Sequence, residues 1–430
     1  MKKFKCIIFG CKVNNYEAQS LMNSLDPKKY EMTEADDADI FVIYTCAVTN
    51  AAESKTRRKI NSLKTKYKDA LIVVVGCYVQ IKKEELKDDL LIDIIVGSKH
   101  KNKIPELIDN YYLTKKRQYY VEDLKDVKFE SLNIAKYFTQ KRAYLKIQDG
   151  CNQYCSFCVI PYARGKERSM ELEEVVKQAH LLVKNGHREI VLAGIHTGRY
   201  LDSNNNELID LLKELLKVKG LERLRLSSIE ISEITDEIIE LMVNNKVLAR
   251  HLHIPIQAGS DEMLKKMNRP YTIDYFRKRV AVIRSKLANI SISTDLIVGF
   301  PNESEELFNQ TYQFIKEIEF SFIHCFPYAR KKGTKADELE GHISDLEKKN
   351  RASKINELSK SLNDNYAKKY INQVKEVLVE KQVSQTSFGH SSDYLPIYLN
   401  QVVKPNEIVN VKIIKYDDQK LIGEVTNVIK

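Results

Sequence analysis

Three thiols lie within the eight residues CNQYCSFC: Cys151, Cys155 and Cys158, spaced C-x3-C-x2-C. Thiolates are soft ligands that select zinc or iron–sulfur. A closed zinc site and a fully ligated iron–sulfur cluster each take four protein ligands. No histidine lies within twenty residues of either end of this loop, so a zinc site here would be one ligand short. A [4Fe–4S] cluster on three thiolates has one open iron instead, and an open iron can bind a substrate.

Three of the other five cysteines share a structural role. FKCIIFG (4–10), DIFVIYT (39–45), ALIVVVG (70–76) and LIDIIVG (91–97) are β-branched and too short for helices. Helix-periodic stretches such as NYEAQSLMNSL and AESKTRRKINSLKTKY separate them. Alternating β and α elements predict a parallel, Rossmann-like sheet. Cys11, Cys46 and Cys77 each follow a strand at its carboxyl end. Those ends share the edge at which open α/β sheets bind ligands. The three thiols are thus predicted to form a second metal site. Cys6 and Cys325 lie inside strands and read as core residues.

From about residue 140 the alternation restarts with six strand candidates: 143–149, 189–195, 223–229, 251–257, 292–300 and 320–326. Their number and even spacing suit a partial (β/α)6 barrel, although an open doubly wound sheet has the same pattern. A long polar helix (344–370) follows. The last stretch is strand-like throughout, and in IVNVKIIKY Val409, Val411 and Ile413 alternate with Asn410 and Lys412. It predicts a small antiparallel β-barrel or sandwich, either a packing appendage or an RNA-gripping module. The chain is α/β and multidomain on this reading. Residues 1–117 form the N-terminal domain, 118–138 a linker or cover segment, 139–370 the barrel domain and 371–430 the C-terminal barrel.

At 430 residues two or three domains are expected. The net charge of +10 favours an anionic partner, nucleic acid first. The excess is not in a tail: residues 1–117 hold 22 Lys and Arg against 16 Asp and Glu, and residues 371–430 hold 7 against 7. Arg57, Arg58, Lys59, Lys64, Lys66 and Lys68 gather after the Cys46 loop on what reads as one helix. No apolar run reaches the roughly 18–20 residues that span a bilayer, and the short apolar start has no cleavage pattern. The expectation is a cytoplasmic protein with reduced thiols and no membrane partner.

C-x3-C-x2-C after the first strand of a six-fold β/α domain resembles the radical S-adenosylmethionine (radical SAM) superfamily. The longer KIQDGCNQYCSFCVIPYARGKERS resembles the methylthiotransferase family within it. GCKVNNYE (10–17), TCAVTNAAE (45–53), VVGC (74–77), IPIQAGS (254–260), MNRPYT (267–272), DLIVGFPNE (295–303) and FPYARKKGTKA (326–336) are similar to its other motifs. Residues 371–430, with FGHSSDY and LIGE, resemble its TRAM domain, a small RNA-binding barrel. GCKVNNYE with TCAVT resembles the branch acting on N6-threonylcarbamoyladenosine in tRNA. The branch for isopentenyladenosine tends to GCQMN, and the branch for a ribosomal-protein aspartate to GCxKN. Tyr44 departs from the family, whose members usually carry Asn there.

The resemblance implies two [4Fe–4S] clusters and two equivalents of SAM per product. Cys151, Cys155 and Cys158 would hold the cluster that reductively cleaves SAM. The resulting 5′-deoxyadenosyl radical would take hydrogen from C2 of the adenosine at tRNA position 37. Cys11, Cys46 and Cys77 would hold the auxiliary cluster that carries the sulfur, and a second SAM would give the methyl group. Phe157 matches the aromatic position that lines the SAM adenine, and Gly194 the turn contacting its methionine part. The implied partners are tRNA and an electron donor such as flavodoxin or ferredoxin. A ferredoxin-like carrier would close its clusters with four cysteines. A zinc-stabilised RNA-binding protein would leave both sites one ligand short.

Overall fold

The computed structural model describes residues 1–138 and 140–429. Its first sheet has six parallel strands in the order Tyr30–Met32, Lys2–Ile8, Ile40–Thr45, Leu71–Gly76, Ile94–Val96 and Gln118–Tyr120. The inner strands Ile40–Thr45 and Leu71–Gly76 are buried at every residue, because helices cover both faces. The two edge strands add to the four read from the sequence. Each has only three residues, too few to show an alternation. Gln118–Tyr120 falls in the stretch read as a linker. The chain after it covers the junction: Leu132, Ile134 and Tyr137 are buried in the core of the next domain, beside Tyr16 from the N-terminal helix Lys12–Ser24.

Six further parallel strands follow in two ladders. Arg142–Lys146, Glu189–Ala193 and Arg223–Leu226 form one, and His251–His253, Ser291–Val298 and Phe322–Pro327 the other. Single bridges, Leu224 to Leu248 and Ser228 to His253, connect them. Strand order runs with the chain and never reverses, so the pattern resolves to an incomplete barrel rather than a doubly wound sheet. Helix Asp345–Lys368 is polar overall but buries Ala352, Ile355 and Leu358 against the barrel core. Its end delivers Tyr366 and Tyr370 into the core of the C-terminal domain.

That domain is a closed barrel of Val374–Val383, Thr386–Ser391, Pro396–Leu399, Ile408–Asp417 and Lys420–Ile429. Val409, Val411 and Ile413 point inward as their alternation requires. The expected antiparallel pattern has one exception: Pro396–Leu399 pairs parallel with Lys420–Ile429, the pairing that closes the barrel without leaving an open edge. Among the described residues no helix is long and apolar enough to cross a membrane.

Candidate metal centres and the cavities between them

Three strand ends share one local device, a glycine with positive φ placed immediately before a cysteine. Gly10 and Gly76 both have φ +107°, and Gly150 has φ +74°. A Cβ on Gly10 would stand 2.9 Å from Cβ and 3.2 Å from Sγ of Cys46, and one on Gly150 only 2.0 Å from the Lys166 carbonyl oxygen. Glycine is thus required twice over, by conformation and by space. The turn at Gly10 brings Cys11 against the Cys46 loop. Cys11 is exposed, Cys46 half-buried and Cys77 buried, so the trio runs from the surface inward. Burial pushes the Cys46 thiol up to about 11, with Cys77 and Cys11 adding to the rise. Burial also raises Cys77, and Cys11 again contributes.

The second trio is gathered in the same sense. Burial lifts the Cys158 thiol to about 12, with Cys155 and Cys151 adding. The Gln153 backbone N–H donates to Cys151 Sγ at 3.4 Å, and His196 Nδ1 lies 3.5 Å from the same sulfur. Burial would lower the His196 pKa, but Cys151, Glu167 and Glu233 around the ring outweigh it and raise it to about 12. Buried thiols are poor anions by themselves, and a metal that replaces their protons removes that penalty.

Each trio also receives an arginine that the sequence reading did not single out. Arg269 Nη1 donates to Cys155 Sγ at 3.3 Å while its other nitrogens engage Glu230 and the Tyr271 hydroxyl. Arg164 Nε donates to Cys77 Sγ at 3.2 Å. Both lie in motifs quoted above, PYARGKERS and MNRPYT, but only the fold shows which sulfur they meet. Arg164 belongs to a buried ionic knot between the domains. It contacts Glu17 at 2.8 Å and Asp149 at 3.2 Å; Lys101 reaches Glu17 at 2.9 Å, and Lys146 reaches Asp149 at 2.9 Å. Arg168 adds a contact to Asp149 at 3.0 Å. Burial opposes charge on Glu17, yet Arg164, Lys101 and Lys146 hold its carboxyl well below the usual range. Two carboxylates face four cations, and anionic sulfur at Cys77 would offset part of that surplus. Tyr44 is fully buried and its hydroxyl donates to the Glu17 backbone carbonyl at 3.2 Å.

Two cavities open beside the thiols. The larger, of about 690 Å³, is lined from all three domains, by Cys11 and Lys12, by Arg142, Arg225 and His253, and by His390 and Tyr394. The smaller, of about 190 Å³, is lined by Phe157 and Cys158, with Gln257 and Tyr328 opposite. Asp295 and Phe326 line both. The buried Tyr328 hydroxyl has no hydrogen-bond partner among the described residues. Gly194 ends the strand Glu189–Ala193. The loop it opens is held by Gln148 Oε1, which accepts from Ile195 and His196 N–H at 3.0 and 2.8 Å. His196 carries that loop to Cys151.

The basic stretch after Cys46 divides. Arg57 is paired with Asp89, and Lys64 with Asp93 at 3.0 Å. Lys68 lies beyond the helix, which spans Asn50–Lys66. Lys55, Arg58 and Lys59 line a shallow groove with Phe9.

Residues 145–315 match the Radical SAM superfamily, and residues 3–97 match a family described as uncharacterized protein family UPF0004. The radical methyltransferase TsrM of Kitasatospora setae shares the fold at a TM-score of 0.56 and 15% identity, over 78% of this chain and 77% of that one. The fold and the cysteine loop define a radical SAM protein. A threonylcarbamoyladenosine tRNA methylthiotransferase of Bacillus subtilis is 39% identical over 94% of this chain and 92% of its own. A second of that description, from Aquifex aeolicus, is 37% identical over 84% and 88%. A tRNA-2-methylthio-N6-dimethylallyladenosine synthase of Thermodesulfovibrio yellowstonii is 33% identical over 97% of both chains. The chain belongs to the radical SAM methylthiotransferase family. Membership implies SAM and a [4Fe–4S] cluster, and the three clustered thiols with their N–H donors are a donor set that fits one.

Proposed function

We propose that this enzyme inserts a methylthio group at C2 of N6-threonylcarbamoyladenosine at position 37 of tRNA. One observation supports the reading: Cys11 lines one cavity and Cys158 another, the two cavities share Asp295 and Phe326, and residues of all three domains line the larger. Cys151, Cys155 and Cys158 would hold one [4Fe–4S] cluster, with Phe157 and Gly194 on SAM. Cys11, Cys46 and Cys77 would hold the second. When bound, these groups supply the radical that removes an unactivated C2 hydrogen, the sulfur and the methyl, chemistry no side-chain acid or base can perform. The chain's own part is to place the base between the trios and exclude water. Arg164 and Arg269 hold one sulfur of each trio by charge-assisted hydrogen bonds. Lys55, Arg58 and Lys59 line a groove for the tRNA backbone, and an electron donor such as flavodoxin or ferredoxin completes the cytoplasmic reaction.

The test uses anaerobically reconstituted enzyme with SAM, reductant and tRNA bearing threonylcarbamoyladenosine. The 2-methylthio nucleoside is the expected product by mass spectrometry after digestion. Product only from isopentenyladenosine tRNA, the substrate suggested by the Thermodesulfovibrio relative, would overturn the substrate; no product from either RNA would overturn tRNA as the target.

A further inference from the structure

The charged groups around the larger cavity are matched, with one exception. Arg142 pairs with Glu380 at 3.2 Å and Arg225 with Glu189 at 2.8 Å. His253 Nε2 lies 3.1 Å from Asp295, and Asp393 pairs with Lys375 at 2.6 Å. Glu380 also receives His390, at 2.6 Å. Lys12, half-buried in the same wall and adjoining Cys11, is in no ion pair or hydrogen bond among the described residues. A partly desolvated cation without a counter-ion is costly unless a ligand brings the anion.

We infer that Lys12 is the specificity residue of this site, its ammonium pairing with the carboxylate of the threonylcarbamoyl substituent; the inference rests on the proposed substrate. The substituent is a urea ending in threonine, so it carries one carboxylate and one hydroxyl, whereas an isopentenyl group carries neither. The cavity wall suits the former, since it offers the half-buried Ser228 hydroxyl besides the cations. C2 and the carbon bearing N6 both flank N1 on one edge of adenine. A base that turns C2 toward Cys11 therefore turns its N6 substituent toward the neighbouring wall, where Lys12 stands. A backbone phosphate is the other anion an RNA could offer, and the test separates the two.

The experiment measures binding of the full-length, reconstituted protein to anticodon stem-loop RNA. The RNA carries threonylcarbamoyladenosine, its carboxyl methyl ester or isopentenyladenosine at position 37. Wild type is expected to bind the free acid about tenfold more tightly than the ester, the worth of one charge-assisted hydrogen bond. Lys12→Gln should bind acid and ester alike, and Lys12→Arg should keep most of the preference, which also reports that the fold is intact. If Lys12→Gln weakens acid and ester equally, the cation meets a phosphate and the inference fails. The inference also fails, with the substrate reading intact, if Lys12→Gln keeps the wild-type preference. If wild type prefers the isopentenyl RNA, the substrate reading falls and takes the inference with it.

Discussion

Arg164 Nε donates to Cys77 Sγ at 3.2 Å, across the boundary between the barrel domain and the N-terminal sheet. The same guanidinium donates to Asn14 Oδ1 at 2.7 Å and Glu17 Oε1 at 2.8 Å. One side chain, six residues past Cys158, thereby fixes the second trio relative to the first. Arg164→Gln takes its N–H donors from Asn14, Glu17 and Asp149 while Lys101, Lys146 and Arg168 still face the two carboxylates, so the cost should be that of buried acceptors left unmade, roughly 1–3 kcal/mol. Arg164→Lys should recover only part, because a lysine cannot present several N–H groups in a fixed fork. The chain has no tryptophan, so far-UV circular dichroism in urea is the measurement. The expected result is a lower midpoint in the order wild type, Lys, Gln. An unchanged Gln midpoint would remove the knot from the account of interdomain stability.

Glu189 governs the attachment of the C-terminal barrel. It pairs with Arg223 and Arg225, which also donate to the His390 and Ser392 carbonyls at 3.1 and 3.0 Å. Burial raises the Glu189 carboxyl, but Arg225, Arg223 and Arg142 override it and hold it down at about 2. Its stabilising contribution is therefore complete above the unfolded value of roughly 4.3 and is lost as pH falls from there to about 2. Glu189→Gln should be less stable at neutral pH and should lose less than wild type across that acid window. Parallel acid-unfolding curves for the two proteins would contradict this.

Gly10 and Gly186 make a controlled pair. Both have positive φ, yet a Cβ at Gly186 meets nothing within 4 Å, whereas one at Gly10 meets Cys46. Gly186→Ala should cost only the backbone strain, about 1 kcal/mol. Gly10→Ala should in addition displace the Cys46 thiol and halve the iron taken up on reconstitution, leaving the Cys151 loop loaded. Full iron content in Gly10→Ala would argue against the N-terminal trio as a ligand set.

The salt dependence of tRNA binding should divide the basic residues as their pairing does. Replacing Arg58 and Lys59 by alanine should flatten the slope of log affinity against log salt by about 0.7 for each phosphate that is no longer neutralised. Arg57→Ala should leave the slope alone and lower stability instead, since Arg57 is occupied by Asp89. Equal slopes for all three proteins would place the RNA on another face.

Much of this site is legible in the chain because its parts are local or periodic. The strands before Cys46 and Cys77, IFVIYT and LIVVVG, are buried β-branched and aromatic runs, the one before Cys11 carries the apolar CII, and parallel topology alone brings their ends together. Three Gly-Cys pairs, at 10–11, 76–77 and 150–151, mark the turns, a signal the motif reading passed over. The barrel was one of two topologies with the same alternation, and only strand order separated them. Arg164, Arg269 and Lys12 were not legible as site residues. Their roles depend on which sulfur or cavity lies opposite, and that is set by packing between segments far apart in the chain, 87 residues for Arg164 and Cys77 and 114 for Arg269 and Cys155. Lys68 shows the converse: its charge was plain, but the helix ends before it.

Glu17 lies on the N-terminal helix, but two of its three cations, Lys146 and Arg164, belong to the barrel domain. A chimera joining the first domain of one relative to the barrel of another will therefore work only when both parents match charge at these positions. Recombination at the junction otherwise strands a carboxylate or a pair of cations where water cannot reach them. The two halves are heritable as a matched pair, and a lineage exchanging one must exchange the buried partner in the other.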